Sequence, residues 1–105
     1  MVNQKKVTAV EIVIFSFKEN YSDQQASEMA GTVNEFISKQ SGFISRTTSK
    51  LGENRWIDIV YWESMQEAKD ASEEAMKSET CGVFFSSINQ ESMQFMHGET
   101  FIEIR

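Results

Sequence analysis

Residues Arg55–Trp62 read RWIDIVYW, the stretch of this chain most typical of a β-strand. A run of β-branched and aromatic residues of this length predicts a strand. Successive strand side chains point to opposite faces of a sheet. This strand therefore presents an aliphatic face, with Ile57 and Ile59, and a bulkier face that carries one carboxylate. The bulkier face comprises Trp56, Asp58, Val60 and Trp62.

The remaining hydrophobic patterns place this strand third among four. In chain order we predict a strand over Val7–Phe17, a helix that begins at Ser22 and ends before Gly42, and strands over Phe43–Leu51 and Arg55–Trp62. A second helix begins at Ser64. The last strand covers Ser92–His97 and Thr100–Ile104 and is interrupted at Gly98. This β-α-β-β-α-β order predicts an α+β, ferredoxin-like fold with both helices on one face of an antiparallel sheet. The alternative is an α+β meander in which Thr80–Ile88 forms a full third helix rather than a short extra helix or an apolar flap.

Both predicted helices begin with the spacing of a capping box. Ser22 precedes Gln25 by three residues, and Ser64 precedes Glu67 by three. Apolar residues recur at helical spacing after each cap. They are Ala26, Met29, Ala30, Val33, Phe36 and Ile37 in the first helix and Met65, Ala68, Ala71, Ala75 and Met76 in the second. Gly42 fits a left-handed position after the first helix.

Length and composition exclude several classes of protein. The 105 residues predict one domain, residues 1–105. A net charge of −6 argues against a nucleic-acid partner. A single cysteine, Cys81, excludes an internal disulfide and a cysteine zinc site, and we expect a buried, inert thiol there. No stretch is long and apolar enough for a membrane span, and residues 1–6 do not read as a signal sequence, so we expect a cytoplasmic protein.

Two helices cover only one face of a sheet, yet both faces of this one are apolar. We expect the helices on the aliphatic set, which comprises Val10, Ile12, Ile14, Ile57 and Ile59. The other set then needs a separate cover, because it would expose a larger apolar patch than a monomer usually does. This set comprises Phe15, Trp56, Val60 and Trp62. Sheet-on-sheet packing in a two-fold homodimer would bury it.

The bulkier face also carries the charged residues that are candidates for a catalytic role. If Leu51 pairs with Arg55 across the hairpin loop, Arg46 stands opposite Val60 and diagonal to Asp58. A carboxylate among aromatic rings is costly unless it is paired or protonated. Asp58 is therefore either the ion-pair partner of Arg46 or, if unpaired, a base with a raised pKa.

Three other residues could contribute to the same site. His97 is a second candidate base, because imidazole ionises near neutral pH. Glu11 would lie on the same face of the first strand as this group. We expect the indole N–H of Trp62 to find Asp58 or a neighbouring carbonyl as its acceptor.

The chain resembles the antibiotic biosynthesis monooxygenase type of dimeric α/β barrel. The resemblance rests on Gly42-Phe43, on the run WIDIVYWES over residues 56–64, and on Ala68 and Ala71 in the following helix. It implies two face-to-face sheets with a pocket in each subunit, and Trp62 matches the family's tryptophan at the end of the third strand. Some members oxidise polycyclic aromatic compounds with O2 and no cofactor, and others degrade heme. The asparagine, tryptophan and histidine that heme-degrading members use are not matched here.

The first functional hypothesis is thus a cofactor-free monooxygenase that acts on a small phenol- or quinol-like substrate. Asp58 or His97 would be the base, and Arg46 would stabilise the developing anion. The expected substrate-binding residues are Trp62, Trp56, Phe15 and Glu11, with no metal and no cofactor. The alternative is a non-catalytic small-molecule-binding or stress-response homodimer whose tryptophans fill the pocket. A cavity of ~300 Å³ or more would favour the enzyme.

Overall fold

The computed structural model describes residues 5–105 and contains four strands and four α-helices. In chain order they are β1 (Ala9–Phe15), α1 (Asp23–Gly31), α2 (Asn34–Ser38), β2 (Phe43–Gly52), β3 (Arg55–Trp62), α3 (Met65–Met76), α4 (Glu79–Ser86) and β4 (Gln94–Glu99). The strands form one antiparallel sheet in the order β2-β3-β1-β4. The predicted ferredoxin-like α+β fold is confirmed.

Two predictions concern the chain's relation to membranes. No helix within residues 5–105 is long and apolar enough to span one. The prediction about a signal sequence concerns residues 1–6, of which residues 1–4 lie outside the described part of the chain.

Both predicted N-caps form, although only the one at Ser22 is a complete capping box. The Ser22 hydroxyl accepts a hydrogen bond from the Gln25 N–H, and the Gln25 side chain accepts one from the Ser22 N–H. The Ser64 hydroxyl likewise accepts from the Glu67 N–H. Each cap satisfies N–H groups that have no partner within the helix. These short-range patterns therefore locate the starts of α1 and α3 within one residue.

The first predicted helix is in fact two. α1 ends at Gly31, where Thr32 bonds back to the Met29 carbonyl through both its N–H and its hydroxyl, and α2 starts at Asn34. The chain thereby turns between them, and Val33 remains buried against the sheet. Gly42 has the predicted left-handed backbone (φ +82°), but it lies three residues beyond the α2 C-cap at Lys39.

The last strand differs most from prediction. β4 runs without interruption through Gly98, which pairs with Val10, so the predicted break is wrong. A Cβ on Gly98 would lie 3.3 Å from the Val10 side chain, which gives this glycine a packing role. Gln90–Ser92 is a 3₁₀ turn, and Thr100–Ile104 is not a strand.

The apolar segment after α3 forms the helix α4, so a helix is confirmed for Thr80–Ile88 and an apolar flap is wrong. α4 buries Cys81 and Phe84, and its N-cap is Ser78. The buried thiol agrees with the prediction for this cysteine. In α3, Ala68 and Ala71 are buried, but Met76 is 80% exposed and does not belong to the predicted apolar stripe.

The helices cover the opposite face of the sheet from the one predicted. They pack on the bulkier face, whereas the aliphatic set is open and half-buried. Trp62 and Val60 lie under Ala68 and Ala71 of α3. Phe15 and Phe17 lie under Ala26 and Ala30 of α1 and under Phe84 of α4.

The physical reason is complementarity of size. Alanine-lined helices approach a sheet with little side-chain volume of their own, so large sheet side chains fill the space between the layers. Trp62 is fully buried against Ala68 and Ala71. A flat row of isoleucines in that position would leave voids. The small side chains of the helices, and not the more aliphatic character of one sheet face, therefore decide which face is covered.

Replacing Gly42 with alanine is expected to lower the free energy of unfolding by about 2 kcal/mol. The alanine would have to keep the left-handed backbone conformation of Gly42, and its Cβ would lie 2.4 Å from the Glu67 carboxyl carbon. That carboxylate is held by the hydroxyls of Ser41 and Ser64 and cannot move freely. Urea unfolding measures the effect. Gly82→Ala in α4 is the control, because nothing lies within 4 Å of its Cβ, and it is expected to leave stability unchanged or raise it.

Candidate functional site

A cavity of about 560 Å³ lies between the helices and the bulkier face of the sheet. Its wall is mostly apolar, with a few polar groups from the sheet and from α3. The apolar wall includes Val13, Val33, Phe36, Phe85 and Met93, and the polar groups include Glu11, Asp58 and Ser72. Trp62 forms part of the wall without filling the space. The volume exceeds the ~300 Å³ set as the criterion for an open pocket.

Asp58 lines this wall and forms an ion pair with Arg46, which lies behind it. Arg46 lies opposite Val60 as predicted, although Gly52 rather than Leu51 pairs with Arg55, because the register shifts between Lys50 and Gly52. Its Nε donates to Oδ1 and Oδ2 of Asp58 at 2.8 and 3.1 Å, and its Nη2 donates to Oδ2 at 3.0 Å. The Arg46 and Asp58 side chains are only 5% and 10% exposed. The Thr48 hydroxyl donates to Oδ1 as well, at 2.8 Å.

The same guanidinium fixes the first helical segment to the sheet. Its Nη1 donates to the Ala30 carbonyl at 2.8 Å and to Oδ1 of Asn34 at 2.7 Å. These acceptors flank the turn between α1 and α2. Because all three nitrogens of Arg46 and both oxygens of Asp58 are engaged, the pair acts as a strut between the layers.

A second polar cluster is centred on Glu11, in the middle of β1. Its Oε1 accepts a hydrogen bond from the Ser72 hydroxyl at 3.1 Å and lies 3.3 Å from Nε2 of His97. Burial raises the pKa of Glu11 above its ordinary value of 4.5, against the opposing effects of Ser72 and His97. The negative charge on Asp58 acts in the same direction as burial. Glu11 is therefore a carboxylate whose charge is poorly solvated.

The cost of ionising Glu11 should be visible in stability. A raised pKa in the folded state means that the native protein binds a proton more tightly than the unfolded chain does, so stability is lost as pH rises from about 4.5 through the raised pKa. We expect Glu11→Gln to gain stability relative to wild type across that interval. Urea unfolding between pH 4 and 8 measures the difference. Glu53→Gln, in an exposed loop, is the control, and an equal slope for both variants would contradict the assignment.

Trp62 contributes an indole N–H that finds no acceptor within residues 5–105. The ring is fully buried and packs edge-on against Phe43, with centroids 6.0 Å apart. Neither predicted acceptor is used: no neighbouring carbonyl in the described part of the chain accepts from this N–H, and Asp58 is bonded to Arg46 and Thr48. A buried donor without a partner is uncommon in native proteins. This one lies in a residue of the cavity wall.

The structure divides the predicted site residues into two groups. Asp58, Glu11 and Trp62 line the cavity, while Arg46 and His97 lie directly behind the first two. Phe15 and Trp56 are on the same sheet face but away from the cavity. Phe15 packs edge-on against the rings of Phe17 and Phe84, and Trp56 packs against Phe17 and beneath the Lys50 ammonium.

Ser72 is a polar side chain of the cavity wall that was not predicted from the sequence. It follows Ala68 by four residues and therefore lies on the buried side of α3. Its hydroxyl also bonds to the Ala68 carbonyl, as serine often does within a helix. Its spacing from Ala68 and its polarity together were the available signal. Among the described residues, no three His, Cys, Asp or Glu side chains are grouped so as to hold a metal ion.

Comparison with known proteins shows the fold and leaves the activity open. No protein-family model matches the chain, and no curated protein matches it significantly. Solved structures do match. The chain is similar to the monooxygenase ActVA-Orf6 of Streptomyces coelicolor, solved in complex with the ligand nanaomycin D, with a TM-score of 0.73, 20% identity and coverage of 94% of this chain and 92% of that one.

Two further structures match over nearly the whole chain. SnoaB, a cofactor-independent oxygenase of Streptomyces nogalater, gives a TM-score of 0.64 at 12% identity over 95% of this chain and 97% of its own. A dimeric ferredoxin-like protein from an uncultured marine organism gives 0.67 at 13% identity over 95% and 93%. The chain therefore has the fold of antibiotic biosynthesis monooxygenases and of dimeric ferredoxin-like proteins.

Proposed function

We propose that the protein is a homodimeric, cofactor-independent monooxygenase that oxidises a small, electron-rich phenol or quinol. The observation that carries this proposal is the cavity of about 560 Å³, which is apolar apart from a few convergent polar groups. Such a cavity is typical of sites for small aromatic molecules. Two structural neighbours are described as a monooxygenase and as a cofactor-independent oxygenase, which supports the same reaction class.

The reaction requires little of the protein beyond binding and proton transfer. A base in the wall removes a proton from the substrate, and the resulting anion passes an electron to O2. The two radicals combine to form a carbon–oxygen bond, and loss of water leaves a quinone. One oxygen atom enters the product and the other leaves as water, so the substrate supplies all four electrons and no external reductant is needed. The apolar wall excludes water, which strengthens the electrostatic interactions of the anion.

The Arg46–Asp58 pair supports the wall in this scheme. Both Asp58 oxygens already accept hydrogen bonds from Arg46 and Thr48, so neither oxygen is free to contact a bound substrate. Arg46 lies behind Asp58, which neutralises much of the charge that would otherwise favour an anion in the cavity. The acid–base chemistry therefore falls to the other polar cluster, that of Glu11 and His97.

The proposed dimer uses the open face of the sheet. Its aliphatic residues Val10, Ile12, Ile14, Ile57 and Ile59 are only half-buried, and Met96 and Leu51 are 41% and 52% exposed. Packing this face against a second copy would remove it from water in one two-fold contact. One structural neighbour is described as dimeric. The interface is thus proposed on the face opposite to the one that the sequence suggested.

Oxygen uptake with 1-naphthol as the probe substrate tests the reaction. We expect consumption of O2 that saturates with 1-naphthol, with one atom of ¹⁸O2 in the product by mass spectrometry. Ala75→Phe, which fills the cavity from α3, should reduce the rate at least tenfold, whereas Ser27→Phe on the exposed side of α1 should not. Saturable binding without any O2 consumption would support the alternative, a non-catalytic binding protein.

A further inference from the structure

We propose that Glu11 is the catalytic base of this cavity and that His97 is the positioning residue that holds its carboxylate. This inference rests on the proposed function and names the group that takes the substrate's proton. From the sequence, Asp58 or His97 was the expected base and Glu11 an expected substrate-binding residue. The contacts of the three side chains favour a different division of roles.

Access to the cavity favours Glu11 as the base. Glu11 and Asp58 both line the cavity, and His97 does not. Asp58 receives three hydrogen bonds from Arg46 and one from Thr48. The described hydrogen bonds to Glu11 all involve one oxygen, Oε1, which contacts Ser72 and His97. Its Oε2 is therefore available to a bound ligand.

The groups that surround Glu11 also favour its role as a base. From β4 it faces His97, and from β3 it faces Asp58, whose charge is compensated by Arg46. α3 contributes the Ser72 hydroxyl and, at the cavity margin, Glu73. Burial raises the pKa of Glu11, so its carboxylate is more basic than an exposed one. A carboxylate shifted in this direction is suited to general-base catalysis.

His97 provides a route for the proton between Glu11 and solvent. β4 is an edge strand, and the His97 side chain is 16% exposed, with Nε2 directed at Glu11. Its ring also packs edge-on against Phe95, at a centroid distance of 5.0 Å, which restricts its orientation. Once Glu11 is protonated, His97 can pass the proton between the carboxyl group and solvent. In the proton transfer to Glu11, a substrate C–H or O–H bond breaks, its electron pair stays on the substrate, and a new O–H bond forms on Glu11.

Hydrogen exchange into 2-tetralone isolates this step from any reaction with oxygen. The benzylic methylene next to the carbonyl is acidic, and its enol resembles a naphthol. Under argon in D2O, the protein is expected to speed the loss of this methylene signal in ¹H NMR at least tenfold over buffer. Glu11→Gln should remove at least nine-tenths of that acceleration. Glu11→Asp, which keeps the carboxylate, should retain part of it and shows that loss of exchange does not come from misfolding.

Two further variants separate the roles of the neighbours. His97→Gln should slow exchange about three- to tenfold and shift its pH profile, since a positioning residue alters the base without replacing it. Asp58→Asn should keep most of the exchange wherever circular dichroism shows a folded protein, and it should shift the pH profile to lower pH, because the Asp58 charge raises the pKa of Glu11. Exchange that persists in Glu11→Gln, or no exchange with wild type, would overturn the proposal. Exchange without O2 uptake from 1-naphthol would uphold the base and refute the monooxygenase.

Discussion

Replacing Asp58 with alanine is expected to lower the free energy of unfolding by about 3–5 kcal/mol. The substitution leaves the Arg46 guanidinium buried without its counter-ion, and the Arg46 side chain is only 5% exposed. It also leaves the Thr48 hydroxyl without its acceptor. Urea unfolding at pH 7 measures the loss, with Lys39→Ala as the control. Lys39 pairs with Glu35 on the surface, where such pairs contribute roughly 0.3–0.5 kcal/mol.

A second variant tests whether the cost comes from the unpaired charge. Arg46→Met combined with Asp58→Leu removes both charges and keeps most of the volume. We expect this double variant to be more stable than Asp58→Ala alone, because no unpaired charge remains buried at these two positions. If Asp58→Ala costs no more than Lys39→Ala, the pair is not the strut between the layers that its contacts indicate.

Replacing Ile59 with aspartate is expected to raise the dissociation constant of the proposed homodimer at least ~100-fold, which corresponds to about 2.7 kcal/mol. Ile59 lies in the middle of the open face, opposite Ile12 of β1 and Thr47 of β2. A carboxylate there would be buried between two apolar sheets without a partner. Sedimentation equilibrium measures the constant, and circular dichroism confirms that the monomer is folded.

The control for this variant carries the same charge on the other side of the molecule. Gln24→Asp, on the exposed surface of α1, should leave the dimer intact. A wild-type protein that stays monomeric at about 100 μM, or an Ile59→Asp variant that dimerises like wild type, would contradict the proposed interface.

Local patterns in the sequence were enough to predict most elements of the fold. The alternation in Arg55–Trp62 located β3, and the spacings of Ser22 to Gln25 and of Ser64 to Glu67 located two helix starts. The short hairpin placed Arg46 opposite Val60, although β2 has an irregularity near Leu51. Each of these features depends on residues close together in the chain. Gly98 was misread because its role depends on packing against Val10, which is distant in sequence.

The choice of sheet face and the composition of the polar clusters required the tertiary structure. Both faces are apolar, so hydrophobicity alone does not tell which one the helices cover. Glu11 meets Ser72 across 61 positions and His97 across 86, and no local pattern signals those contacts. Asp58 was recognisable as a carboxylate that needs a partner, but its unavailability as a base followed only from the hydrogen bonds of Arg46 and Thr48.

Calorimetric titration with 1-naphthol under argon shows whether the cavity under the helices binds a flat aromatic ligand. We expect saturable binding to wild type and to Ser27→Phe with the same dissociation constant. Ala75→Phe should weaken binding at least tenfold, because the new ring occupies the cavity from α3. Equal binding by Ala75→Phe and wild type would place the ligand elsewhere, and no binding by wild type would contradict the claim outright.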